Sequence, residues 1–182
     1  MPELHALFLN CTLKGSPAVS NTEGLARKVI QWLDKIKAAD ILVMCTPIWF
    51  GLRSSVAQMV IERLDGTYRE RNAAGQYPLY NKVAGVVVTG NEDGAHAAAE
   101  STLFNMSHLG CTVPPNADTY WVGDAGPGPS YLEAGQDHPY TQRTTRWMAH
   151  NLVHMARMLK SNPIPAEGNT FEPEEEHIRH MG

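Results

Sequence analysis

The chain has 182 residues, 43% hydrophobic and 19% charged, with a formal net charge of −4. That length suits one domain with a substantial core, and the mild acidity leaves no basic footprint for a nucleic acid. The start M-P-E-L-H lacks a basic leader, no apolar run approaches the roughly 18 residues of a membrane span, and the scattered Cys11, Cys45 and Cys111 make no disulfide framework, so a cytoplasmic protein is expected.

In chain order, a first strand is expected over Leu4 to Asn10, followed by the knot C-T-L-K-G-S-P-A-V-S-N-T. A helix follows, with Leu25, Val29, Trp32 and Ile36 on one face and Ser20 three residues before Glu23 as a capping box. Ile41 to Thr46 and Val83 to Thr89 are near-continuous apolar runs, as expected of parallel strands covered on both faces. Ser54 to Leu64, Ala95 to Leu109 and Tyr140 to Lys160 have helical spacing, and Cys111 to Val113 with Thr119 to Val122 form a broken final strand. Alternating strands and helices predict a doubly wound α/β sheet over residues 1–162. The polar, proline-rich stretch 163–182 is expected to be an extended tail that packs over a neighbour or frays.

Ligands of open α/β sheets bind beyond the carboxyl ends of the strands, so three loops matter. In the first, Ser16, Ser20, Asn21 and Thr22 offer hydroxyls, an amide and N–H groups to an anion at a helix N-terminus; simple capping explains them equally well. Lys14 is the one full charge in that loop. A thiol phosphatase would need an arginine where Pro17 stands, so Cys11 is expected to be a small buried residue rather than a nucleophile. The second loop, T-P-I-W-F-G-L-R-S-S, places Trp49 and Phe50 between Pro47 and Gly51, an aromatic ledge or a pair buried under a neighbour. The third, T-G-N-E-D-G, offers close backbone approach and Asn91 for a heterocycle edge. His150 and His154 lie one helical turn apart without the Glu of H-E-x-x-H, and no metal is expected.

Together, L-N-C-T-L-K-G-S-P-A-V-S-N-T, A-D-I-L-V-M-C-T-P-I-W-F-G and G-V-V-V-T-G-N-E-D-G-A-H resemble the phosphate loop and two flavin loops of the flavodoxin-like NAD(P)H-dependent FMN reductases, a superfamily that includes quinone-reducing flavoproteins. The resemblance spans roughly residues 4 to 123. It implies a flavodoxin-like doubly wound sheet with FMN as cofactor and NAD(P)H as co-substrate. Thr12, Lys14, Ser16, Ser20, Asn21 and Thr22 would hold the phosphate. Pro47, Ile48, Trp49, Phe50 and Gly51 would line the ring, and Thr89, Gly90, Asn91, Asp93 and Gly94 would meet its pyrimidine edge. The long loop 125–137 is either a lid, with Tyr131 as its expected contact, or a surface loop packed by its prolines. No side chain is a catalytic nucleophile, since the flavin carries the hydride to a small electron acceptor such as a quinone. A homodimer or homotetramer is also implied. The rival functions are a one-electron flavodoxin, against which the modest charge argues, and a non-enzymatic flavin-binding or sensing module.

One departure from the resemblance concerns the sheet edge. The first helix runs through Q-W-L-D-K-I-K-A-A-D directly into I-L-V-M, with no second strand between. Either the edge strand is deleted or a segment is omitted near Asp34 to Lys37; omission is the expectation, under which the intact protein is heavier than 20.1 kDa.

Overall fold

The computed structural model describes residues 3–10 and 35–171. Four parallel strands, β1 (Ala6–Asn10), β2 (Ile41–Trp49), β4 (Val83–Gly90) and β5 (Asp118–Val122), lie side by side in the order β1-β2-β4-β5. The two-residue strand β3 (Leu52–Arg53) turns back antiparallel onto the end of β2. Among the described residues, no strand pairs with the outer side of β1. That edge is where the second strand is expected in the fold that the sequence resembles.

Both central strands are buried on both faces, which explains their unbroken apolar sequences. On one face Leu42, Met44, Ile48, Ala84, Val86 and Val88 pack under helices α1 (Ser55–Leu64) and α2 (Ala95–His108), which contribute Ala57, Ile61, Leu64, Ala98 and Met106. On the other, Ile41, Val43 and Val83 meet Met148, Leu152, Ala156 and Leu159 of the long helix α3 (Pro139–Ser161). Gly85 on β4 lets α3 approach: a Cβ there would lie 2.6 Å from Met148 Cε. Burying each such Leu or Met stabilises the fold by about 1.5–3 kcal/mol.

Helix boundaries follow their local chemistry. Ser54 caps α1, its Oγ accepting from the N–H of Ala57 at 3.2 Å. Gly94, at φ +117°, precedes α2, and Gly110, at φ +108°, follows it. The expected pair of final strands becomes one strand, β5, and a single bridge between Val83 and Thr112. The chain beyond α3 is seated on the body of the domain as far as residue 171. Buried Gln76 donates through Nε2 to the carbonyls of Ile164 and Pro165 and to Asn169 Oδ1, while Asn81 Oδ1 accepts from the N–H of Ile164. The Arg71 guanidinium lies 3.5 Å over the Phe171 ring. The remainder of the expected tail lies outside the described residues; of the expected join over Asp34 to Lys37 only Asp34 does, and residues 35–38 are helical and lead into β2.

No helix among the described residues is long and apolar enough to cross a membrane. Nor do three His, Cys, Asp or Glu side chains among them converge as a metal site.

Candidate functional site

The ladder between β2 and β4 runs to Pro47 opposite Thr89, so their following segments leave the sheet at one height. The expected second loop is shorter than its sequence suggests. β2 continues to Trp49, and a two-residue turn, Phe50 at φ 51° and Gly51 at φ 78°, returns the chain as β3. Two successive positive φ values make a type I′ hairpin turn, whose twist matches that of the strands it joins. A left-handed Phe is strained, because its Cβ crowds the backbone.

That strain is held by the third loop. Glu92 Oε1 accepts from the N–H of Phe50 at 2.9 Å. Gly94 lies so close to the turn that a Cβ would fall 2.2 Å from the Gly51 carbonyl oxygen. The two loops therefore form one body, and Glu92, which sequence reasoning passed over, fastens them. Its signal was an acid directly beyond an apolar strand, flanked by glycines.

The expected site residues separate into several roles. Trp49 is 49% exposed and Phe50 93%, giving an open aromatic surface at the strand end. Ile48 instead points into the core, against Gly90, and offers only its backbone. Pro47, Gly51, Thr89, Gly90 and Gly94 supply backbone around the hairpin. Asp93 Oδ1 accepts from the N–H of Gly94 at 2.7 Å and so shapes its own loop. Asn91 Nδ2 donates to the Pro129 carbonyl at 3.1 Å, tying the long loop after β5 to the third loop. Tyr131 begins a single π-helical turn (Tyr131–Gly135) and meets Trp121 edge-on with ring centroids 5.9 Å apart. It braces the long loop at Trp121, where a Cβ on Gly135 would lie 2.5 Å from the Tyr131 ring. Thr12, Lys14, Ser16, Ser20, Asn21 and Thr22 lie outside the described residues, as does Cys11.

Electrostatics around the hairpin are simple. Burial pushes the Cys45 thiol up from its ordinary range, so it stays protonated at neutral pH and is no nucleophile. Glu133 is held low by the backbone and side chain of Ser130, in a capping box at the start of the π turn. Among the described residues, the arrangement has no acid–base pair at the ledge. Its chemical offer is an aromatic face, oriented backbone groups and a packed neighbouring loop, which suits holding a planar heterocycle.

Comparison with known proteins gives the family. Residues 4–125 match the profile of the NADPH-dependent FMN reductase family. The chain is 38% identical to the 8-demethyl-8-aminoriboflavin-5'-phosphate synthase of Streptomyces davaonensis, covering 90% of this chain and 81% of that protein. That alignment runs over 209 positions, more than the 182 residues of this chain, so the synthase has residues within the span that this chain lacks. A Mycobacterium bovis protein named divalent metal cation transporter MntH is 39% identical over 87% of this chain, which spans only 29% of it. The crystal structure of RosB with a bound 8-demethyl-8-formylriboflavin-5'-phosphate intermediate superposes with a TM-score of 0.81 at 35% identity, covering 99% of this chain and 88% of that one. An NADH:FMN oxidoreductase in its apo form shares the fold, with a TM-score of 0.53 at 16% identity, over 86% of this chain and 76% of that one.

Proposed function

This chain belongs to the NADPH-dependent FMN reductase family, and from that premise we propose that it binds FMN at the loops following β1, β2 and β4 and acts as an oxidoreductase. In this reading, reducing equivalents from NAD(P)H reach a small acceptor such as a quinone. The hydride and one solvent proton together account for the hydroquinone formed. The observation that carries the proposal is the open ledge, with Trp49 and Phe50 exposed at the carboxyl end of β2 and fastened to the third loop.

The fit of the described residues to FMN is good at the ring end. Trp49 and Phe50 provide an apolar face, and Gly51 with Gly94 allows backbone approach that a side chain would block. The phosphate would be held by Ser16, Ser20, Asn21 and Thr22, with Thr12 and Lys14 beside them. Bound there, FMN supplies hydride chemistry that no side chain of this protein has. The protein's own part is orientation. Glu92 holds the hairpin, Thr89 and Gly90 set its height, Asn91 ties the long loop to the third loop, and Tyr131 braces that loop at Trp121. An exposed face also favours an enzyme with exchanging substrates over a sensor that buries its flavin. Exposed Trp49, Phe50, Leu52, Met59 and Phe104 support assembly as a homodimer or homotetramer.

Titration with FMN, followed by loss of flavin fluorescence, tests the site. Stoichiometric quenching followed by acceptor-dependent NAD(P)H oxidation is expected; absence of binding at micromolar FMN would overturn the proposal.

A second reading is favoured by the 38% identity to the riboflavin-phosphate synthase: the flavin phosphate is itself the substrate. The mass of the flavin recovered after turnover separates the two, unchanged for a cofactor and altered for a substrate.

A further inference from the structure

Helix α3 carries no acidic residue in its 23 positions, although the whole chain has a net charge of −4. On the side away from the sheet, Arg143, Trp147, His150, His154 and Arg157 recur at spacings of four and three, with Arg146 beside them, and all are exposed. From Arg143 to Arg157 this stripe is about 21 Å long.

Lys160, at the end of the helix, pairs with Asp40 at 2.9 Å, but among the described residues no carboxylate pairs with Arg143, Arg146 or Arg157. Arg143 lies instead between the Tyr140 and Trp147 rings, 5.3 and 5.1 Å from their centroids. Trp147 is 46% exposed, which leaves an aromatic surface beside the cations. Arg143 and Arg146 are like charges three residues apart, a spacing that destabilises a helix until an anion offsets it.

The complementary charge is in the same sequence. Residues 172–176 read E-P-E-E-E, directly after Phe171. Phe171 packs edge-on to Tyr77 with centroids 4.7 Å apart, and Tyr77 packs on Tyr68, whose hydroxyl donates to the His108 carbonyl at the end of α2. The acidic run therefore departs from the side of the sheet that carries α1 and α2, while the stripe faces outward on the other. Five extended residues span at most about 18 Å. That is too short to pass the sheet and the width of α3, about 10–12 Å, and still lie along the stripe of the same copy.

We propose that the outward stripe of α3 docks the acidic run 172–176 of a second copy of this chain, with the glutamates on Arg143, Arg146 and Arg157 beside Trp147. Each exposed pair is weak, so the contact rests on several engaged together and is sensitive to salt. It does not depend on flavin binding.

The test uses the full-length variant E172Q/E174Q/E175Q/E176Q, whose stripe is free, and a fluorescein-labelled peptide of residues 170–182 as the probe. Anisotropy is expected to show saturable binding at about 20 mM salt, weakened at least about fivefold by about 500 mM salt and by adding R146E/R157E to the same variant. Far-UV circular dichroism verifies that the variants fold. Sedimentation at low salt is expected to show wild type associating more strongly than the glutamine variant. The proposal falls if the peptide does not bind, if charge reversal leaves its affinity unchanged, or if a peptide with glutamine at the four positions binds as well. It falls equally if the peptide binds yet wild type and the glutamine variant sediment alike, which would leave the run on its own copy. Anionic phospholipid vesicles or duplex DNA binding the stripe more tightly than the peptide would assign it to a lipid or nucleic-acid surface and overturn the proposal.

Discussion

Phe50 combines near-complete exposure with a left-handed backbone, a pairing that folding alone gives no reason to keep. The turn is held by one hydrogen bond to Glu92 and by the absence of a side chain at Gly94. E92A should therefore weaken FMN binding about fivefold to tenfold, roughly 1–1.4 kcal/mol, while leaving the thermal midpoint nearly unchanged. E92Q, whose amide oxygen still accepts, should recover most of the affinity, and equal affinity of E92A and wild type in the fluorescence titration would remove Glu92 from the site. G94A is predicted to be far worse. Its Cβ would collide with the Gly51 carbonyl at an already unfavourable φ, costing more than about 2 kcal/mol in urea unfolding.

Among the elements, α3 depends on what lies beneath it. Leu152 is buried against the sheet, and L152A should cost about 2–4 kcal/mol by chemical denaturation without altering the ledge, which α3 does not build. The same elements show what sequence alone can reveal. The apolar runs of β2 and β4 and the helical spacing of α1, α2 and α3 announced a doubly wound sheet, and the observed flavodoxin-like fold follows it. Trp49 and Phe50 stood out because aromatics beside a strand end are rarely placed there by packing. The hairpin was hidden, because Phe-Gly is not a usual type I′ pair and its support, Glu92, lies far along the chain. Ile48 looked like a ring contact because it sits in the motif; the alternation of the strand sends its side chain into the core instead.

For the molecule as a whole, two groups with strongly raised values bear on its tolerance of alkali. The Cys111 thiol is pushed up to about 12 by burial, with the charge of Lys82 opposing, and the Tyr120 phenol is pushed up to about 12 chiefly by its hydrogen bond with Tyr140 and also by burial. Their ordinary values are 9.0 and 10.0, so the unfolded chain loses these protons first. Their contribution to stability is present in full below pH 9 and drains away as pH rises towards about 12. Urea midpoints between pH 8 and 11 should fall accordingly, and C111A with Y120F should flatten the decline; a flat wild-type profile would contradict it.

Gln76 spends its amide donor on three oxygens between residues 164 and 169, on the far side of β4, β5 and all of α2 and α3 in the sequence. During synthesis on the ribosome this group emerges long before its acceptors do. Until they arrive, that donor has water as its partner, while the turn itself closes on Asn72, whose Oδ1 accepts from the N–H groups of Ala74 and Gln76. The nascent protein can assemble β1, β2 and β4 earlier, but the region beneath the C-terminal stretch matures last. A chain cut short within residues 164–169 would freeze the molecule at that unfinished stage.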